Sequence, residues 1–112
     1  SGLGTIGLAM ICAAQTHSPK MVIGLDLRQE RLDKAIEFGA DLVINPAKEN
    51  VQEIINSLTD GYGCDVYIEA SGSPTSVPQG LNLCERCYRR LERNWRYKAH
   101  GCSWFTSVRT LL

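Results

Sequence analysis

Three glycines open the chain at spacings that suit a phosphate. Gly2-Leu3-Gly4-Thr5-Ile6-Gly7 fits G-x-G-x-x-G. The first glycine permits a tight turn in backbone conformations that other residues avoid. The second, lacking a side chain, lets a pyrophosphate approach the backbone, and the third lets a helix pack closely on a strand. The helix that starts there offers free N–H groups and the positive end of its dipole to the anion. Nineteen positions after Gly7 stands Asp26. Its carboxylate can accept two hydroxyl hydrogen bonds from an adenosine ribose, whereas a 2′-phosphate there would meet a like charge. The pairing therefore argues for NAD over NADP. The glycine pattern alone is common, and an ordinary glycine turn with a solvated Asp would also produce it. Its context decides, and the context is the set of elements around it.

From Leu3 to Gln15 the residues are small and apolar almost throughout, as in a helix packed on a sheet. This stretch has signal-peptide length and ends in Ala13-Ala14, but no basic segment precedes it, so it reads as a buried helix. Thr16-His17-Ser18-Pro19 is a loop, and His17 has no visible partner. Met21 to Leu25 is an apolar run closing on Asp26, a parallel strand buried on both faces. Gln29 to Phe38 is an amphipathic helix with Gly39 at its C-terminal cap. Leu42-Val43-Ile44 is a second strand, stopped by Asn45-Pro46. Glu49 to Leu58 places Val51, Ile54, Ile55 and Leu58 on one helical face. After the turn Asp60-Gly61-Tyr62-Gly63, Asp65 to Glu69 reads as a third strand and Thr75 to Cys84 as a short helix. Strands alternating with helices predict βαβ units and a parallel sheet.

The chain has 112 residues, one domain's worth, with 44% hydrophobic and 21% charged residues. Its twelve basic and twelve acidic residues exclude a generally basic nucleic-acid binder and an acidic disordered chain. No apolar run is long enough for a membrane span. The neutral total conceals a split. Residues 1–84 carry ten acidic residues against five basic, and residues 85–112 carry seven basic against two acidic. Both Trp residues also lie in the second part. Five cysteines, Cys12, Cys64, Cys84, Cys87 and Cys102, are an odd number in a chain that is neither small nor loop-rich. Reduced thiols and a cytoplasmic location are the expectation.

Residues 1 to about 83 resemble the cofactor-binding domain of zinc-containing medium-chain alcohol dehydrogenases, nearest the sorbitol, threonine and polyol branch. The stretches that carry the likeness include the glycine turn, Gly24-Leu25-Asp26 followed by Arg31-Leu32, and Phe38-Gly39-Ala40-Asp41. Gly61-Tyr62-Gly63-Cys64-Asp65-Val66 and Ile68-Glu69-Ala70-Ser71-Gly72 complete it. The resemblance implies that Gly2, Gly4 and Gly7 shape a dinucleotide turn, and that Thr5 and Ile6 face the pyrophosphate through backbone N–H groups. It implies that Asp26 holds the ribose and that Ser71 lies at the ligand edge of the sheet. Arg31 would stack near the adenine or its ribose, with an ordinary surface pairing to Glu30 or Glu37 as the alternative. Glu69 and Tyr67 read as structural.

The resemblance also implies a separate catalytic domain, whose Cys, His and Glu residues hold zinc, and an oligomeric intact enzyme. No catalytic or metal-ligating residue of that kind is assigned in this sequence. The strand expected before Gly2 is absent; in the usual order 3-2-1-4 it would lie between the strands at 21–25 and 65–69, leaving two exposed edges. After Cys84 the family pattern stops, and the abrupt change of composition fits a frame change, an altered exon or a misplaced gene end. An mRNA carrying the junction, with peptides from the tail, would count against an artefact. Cys84-x-x-Cys87 with His100 and Cys102 has the elements of a zinc site, but the spacing of His100 and Cys102 is too short, and incidental thiols are the preferred reading. The tail interleaves cations with Tyr88, Trp95, Tyr97, Trp104 and Phe105, as single-strand nucleic-acid surfaces do, yet no nucleic-acid motif frames it. Trp104 to Val108 has strand composition but nothing frames that either. The expectation is an α/β fold: an incomplete Rossmann-type doubly wound parallel sheet over 1–84, lacking its first strand, with a basic tail over 85–112. Its expected role is an NAD-binding part of a zinc-dependent alcohol or polyol dehydrogenase, inactive alone. The alternatives are a nucleotide- or partner-binding module without catalysis and a truncated product without function.

Overall fold

The computed structural model of the chain describes residues 1–84. Six elements follow one another: α1 (Thr5–Gln15), β1 (Ile23–Leu25), α2 (Gln29–Glu37), β2 (Leu42–Ile44), α3 (Val51–Thr59) and α4 (Ser76–Leu83). The two strands run parallel, with Ile23 opposite Leu42, Gly24 opposite Val43 and Leu25 opposite Ile44.

Alternation along these strands sorts the core into two faces. Gly24 faces Leu3, and Val22 and Val43 pack against a cluster of Leu3, Ile11, Leu32, Ala35 and Ala40 on the same side. This cluster is built by α1 and α2. Ile23, Leu25, Leu42 and Ile44 turn to the other side, where Val51, Ile55 and Leu83 bring in α3 and α4. Helices therefore cover both faces of the sheet, which is why the strands carry apolar residues on both sides. Gly24 is small because Leu3 already fills the space above it. Its added Cβ would lie 3.1 Å from a Leu3 methyl.

The helices end where their sequences dictate. The Asn50 side chain accepts from Glu53 N–H at 3.3 Å and caps α3, so that helix begins at Val51 rather than at Glu49. Gly39, at φ +102°, lets the chain leave α2 after Phe38, and the Gln15 amide donates to its carbonyl, tying the end of α1 to this turn. Pro78 sits in the first turn of α4, where its missing N–H costs no intrahelical bond.

The predicted strand over Asp65–Glu69 does not form a ladder; among the described residues the sheet has two strands. The reason lies in its neighbour. Ser1 donates from its amino group to the Ile68 carbonyl and accepts from Ala70 N–H, both at 2.8 Å, while Gly2 N–H donates to the Leu25 carbonyl at 2.8 Å. Ser1-Gly2 thus stands between β1 and segment 65–70, in the central position of the expected order. Two residues are too few to define a strand, and among the described residues segment 65–70 makes no further backbone pairing across to another segment. The two-region boundary at residue 84, the cation–aromatic tail, Trp104–Val108 and the Cys87, His100 and Cys102 group lie at or beyond the described residues.

Candidate functional site

Each glycine of the opening turn meets different surroundings. Gly2 has φ +84°, and a Cβ added to it would collide with the Ser71 backbone nitrogen. A Cβ on Gly7 would run into the Gly2 carbonyl oxygen. A Cβ on Gly4 would meet nothing within 4 Å. The first and third glycines are thus required by the protein's own backbone, and the second faces open space.

That open space lies at the start of α1. Gly4 is the N-cap, with extended backbone, and no side chain caps the helix. The first internal bond is Leu8 N–H to the Gly4 carbonyl at 2.9 Å. The N–H groups of Thr5 and Ile6 precede it, on exposed residues at the positive end of the helix.

Asp26 reaches the same turn from the end of β1. It is 9% exposed. Its Oδ2 accepts from Leu3 N–H at 2.8 Å and its Oδ1 from Arg28 N–H at 2.9 Å. Arg31 Nη1 lies 3.5 Å from Oδ2. Burial alone would raise the Asp26 pKa, but the Arg28 and Leu3 N–H groups and the Arg31 cation outweigh it, and the net shift is downward. Asp26 is therefore a carboxylate that clamps the glycine turn to the sheet. Arg31 turns toward Asp26. The surface alternatives take other partners: Glu30 pairs with Arg28 at 3.7 Å and Glu37 with Lys34 at 2.6 Å.

Ser71 packs against Gly2 through its backbone, and its N–H and hydroxyl both donate to Glu69. Gly72 N–H donates to the other Glu69 oxygen at 3.3 Å. Burial pushes the Glu69 pKa up, while the Ser71 hydroxyl and the Ser71 and Gly72 N–H groups pull it down further. Tyr67 hydrogen-bonds Ser76 at 2.8 Å. Glu69 is structural, as its sequence context suggests, and its particular task is to shape the loop that lies against Gly2. The signal was available in Glu69-Ala70-Ser71-Gly72, where a carboxylate precedes two backbone donors at the spacing of a tight turn. No local signal marked the bond from Leu3 to Asp26, which spans 23 positions.

Two apolar side chains flank these residues in sequence and stay in solvent. Ile6 and Leu27 are each 66% exposed. A separate shallow cavity of about 530 Å³ lies between the start of α3 and α4, lined by Pro46, Asn50, Thr75, Gln79 and Asn82 among others. No residue of the glycine turn lines it. Among the described residues no three His, Cys, Asp or Glu side chains gather to hold a metal ion. No helix among them is long and apolar enough to cross a membrane.

This arrangement recurs in known proteins. The sequence pattern of the family described as zinc-binding dehydrogenase matches residues 5–86. An erythritol/L-threitol dehydrogenase of Mycolicibacterium smegmatis is 49% identical over 92 residues, 82% of this chain and 25% of that protein. A sorbitol dehydrogenase of Halalkalibacterium halodurans is 39% identical over 87 residues, 77% of this chain and 25% of that protein. Among solved structures, benzyl alcohol dehydrogenase from Acinetobacter calcoaceticus superposes with a TM-score of 0.69 at 33% identity, over 73% of this chain and 22% of that one. Alcohol dehydrogenase TADH from Thermus sp. ATN1 does so with a TM-score of 0.69 at 32% identity, over 73% of this chain and 24% of that one. The chain spans about a quarter of the length of the curated relatives it matches. By its sequence pattern and its α/β architecture alike, the chain belongs to the zinc-binding dehydrogenase family.

Proposed function

We propose that this chain supplies the NAD-binding part of a zinc-dependent alcohol or polyol dehydrogenase, holding the adenosine half of the cofactor. The observation that carries this reading is the open space in front of Gly4, above an uncapped helix start and next to a buried carboxylate. The Thr5 and Ile6 N–H groups would hold the pyrophosphate. Asp26 would take the ribose hydroxyls; an ionised carboxylate has about four acceptor sites, two backbone bonds and the long Arg31 bond leave one, and a turn of Arg31 toward the adenine would release a second. Arg31 and the exposed Leu27 lie near Asp26 in sequence and offer a guanidinium plane and apolar surface for the adenine. Ser71 and Glu69 would keep the far wall of the turn in place. When bound, NAD would supply a hydride acceptor, and in the parent reaction the donor would be the carbon of a secondary alcohol. Zinc would belong with residues outside this chain, and no step through zinc is assigned to the residues described. The reading carries with it a cytoplasmic location, an oligomeric intact enzyme and no NADH formation by this chain alone.

Thermal unfolding of the 112-residue chain by circular dichroism, with and without millimolar NAD, tests the proposal. A ligand that binds only the folded state stabilises it by about 1.4 kcal/mol at ten times its Kd, a rise of roughly 5–10 °C for a domain this small. NADP should give a smaller rise. Gly4→Ser is the decisive variant: its hydroxyl can cap α1 and fills the open space, so the unliganded melt should hold or rise slightly while the NAD shift disappears. A wild-type melt indifferent to NAD, or an NAD shift that survives Gly4→Ser, would overturn the reading.

A further inference from the structure

Two thiols stand outside the cofactor reading. Cys64 follows Gly63 in the turn after α3, and Cys84 is the C-cap residue of α4. Their sulfurs lie 3.0 Å apart. The main chain places them. Cys64 N–H donates to the Leu83 carbonyl at 3.0 Å, and Cys84 N–H donates to the Gly80 carbonyl at 2.9 Å. Gly63 has φ +83°, and a Cβ there would run into the Leu83 carbonyl oxygen. Backbones 63–64 and 83–84 are therefore in direct contact, whatever the state of the sulfurs. A disulfide bond of about 2.04 Å needs only about 1 Å of further approach. The two thiols differ in access: Cys64 is half-buried and Cys84 is 5% exposed.

We propose that Cys64 and Cys84 form a dithiol modification site for hydroperoxides, with Cys64 as the attacking thiol and Cys84 as the resolving one. The Cys64 thiolate attacks one oxygen of hydrogen peroxide and the O–O bond breaks. Cys64 becomes a sulfenic acid and the released hydroxide takes up a proton to leave as water. The Cys84 thiol then attacks the Cys64 sulfur, the S–OH bond breaks, and the hydroxyl leaves as a second water with the Cys84 proton. Two thiols and one peroxide give one disulfide and two waters. The hydrogen bond from Cys84 lowers the Cys64 pKa, against the opposing effects of burial and of Asp65, which favours Cys64 as nucleophile. The closed loop contains Ile68, Ala70, Ser71 and Ser76, the residues that hold Ser1-Gly2 in place. Oxidation therefore closes covalently the loop that carries the wall of the glycine turn.

The test is oxidation of the full chain by stoichiometric hydrogen peroxide, followed by cleavage after glutamate without reduction and mass spectrometry. Cys64 then lies in peptide 54–69, Cys84 in 70–85 and Cys87 in 86–92. In the folded chain the 54–69/70–85 pair, two hydrogens lighter than its parts, should outnumber the 70–85/86–92 pair about tenfold. In denaturing guanidinium chloride the order should reverse, because Cys84 and Cys87 close the shorter loop. Cys87→Ser should leave the first cross-link unchanged, and Cys64→Ser should leave Cys84 as a thiol. A folded chain that joins Cys84 mainly to Cys87, that leaves Cys64 as a sulfinic acid without a cross-link, or that gives the pattern of the denatured chain would overturn the proposal.

Discussion

A methyl group tests each glycine of the opening turn differently. At Gly7 it would strike the Gly2 carbonyl, a backbone atom that cannot rotate away. Gly7→Ala should therefore cost about 2–4 kcal/mol by forcing the turn from the helix, read as a lowered urea midpoint. At Gly4 the same methyl meets nothing, and the loss should stay below about 1 kcal/mol. Equal losses at the two positions would contradict the described turn. The carboxylates of Asp26 and Glu69 predict the response to acid. Both have pKa values lowered in the folded chain, so the unfolded chain takes up their protons first as pH falls. Their stabilisation is full above the unfolded values near pH 4 and is lost as pH falls through the depressed folded values. Melting temperature should hold between about pH 5 and 7 and fall below about pH 4. Glu69→Gln should make that fall shallower, and a fall of unchanged slope would remove Glu69 from the account.

Among the elements, α3 depends on one cap. Asn50 satisfies the Glu53 N–H, and Asn50→Ala should cost about 1 kcal/mol, shifting the urea midpoint without changing the slope. The alternation of helices and strands was legible because each element carries its own signal: apolar spacing in α2 and α3, short apolar runs at Met21–Leu25 and Leu42–Ile44, and Gly39 after α2. The third strand was legible as composition and still failed as structure. Strand formation needs a partner backbone, and Ser1 supplies only a single residue's pair of hydrogen bonds to it. The candidate site was legible as residue types, in Gly2, Gly4, Gly7 and Asp26, but not as contacts. A carboxylate at residue 26 that accepts from the N–H of residue 3, or two cysteines twenty positions apart, announce themselves only once the sheet and α4 bring them together.

At the scale of the molecule, helices on both faces enclose a sheet that has two short strands among the described residues, with one apolar cluster on each face. Segment 65–84 is attached to this framework at its two ends: Leu83 and Tyr67 pack in the cluster of Leu25 and Ile44, and the amino-terminal dipeptide meets Ile68, Ala70, Ser71 and Ser76. The second attachment has a kinetic consequence. The β1–α2–β2 unit joins near neighbours in sequence, whereas the bonds from Ser1 span 67 and 75 positions. Closing so long a loop early costs entropy before any contact rewards it, so the local unit should assemble first and the amino-terminal dipeptide should lock last. Ser76→Ala, which removes a hydroxyl shared with Ser1 and Tyr67, should then speed unfolding roughly five-fold for a loss of about 1 kcal/mol and leave the refolding rate nearly unchanged. Stopped-flow chevrons in urea would show it; a slowed refolding arm would place the dipeptide in the nucleus instead. The residues that shape the glycine turn would on this account be the last to arrive and the first to leave.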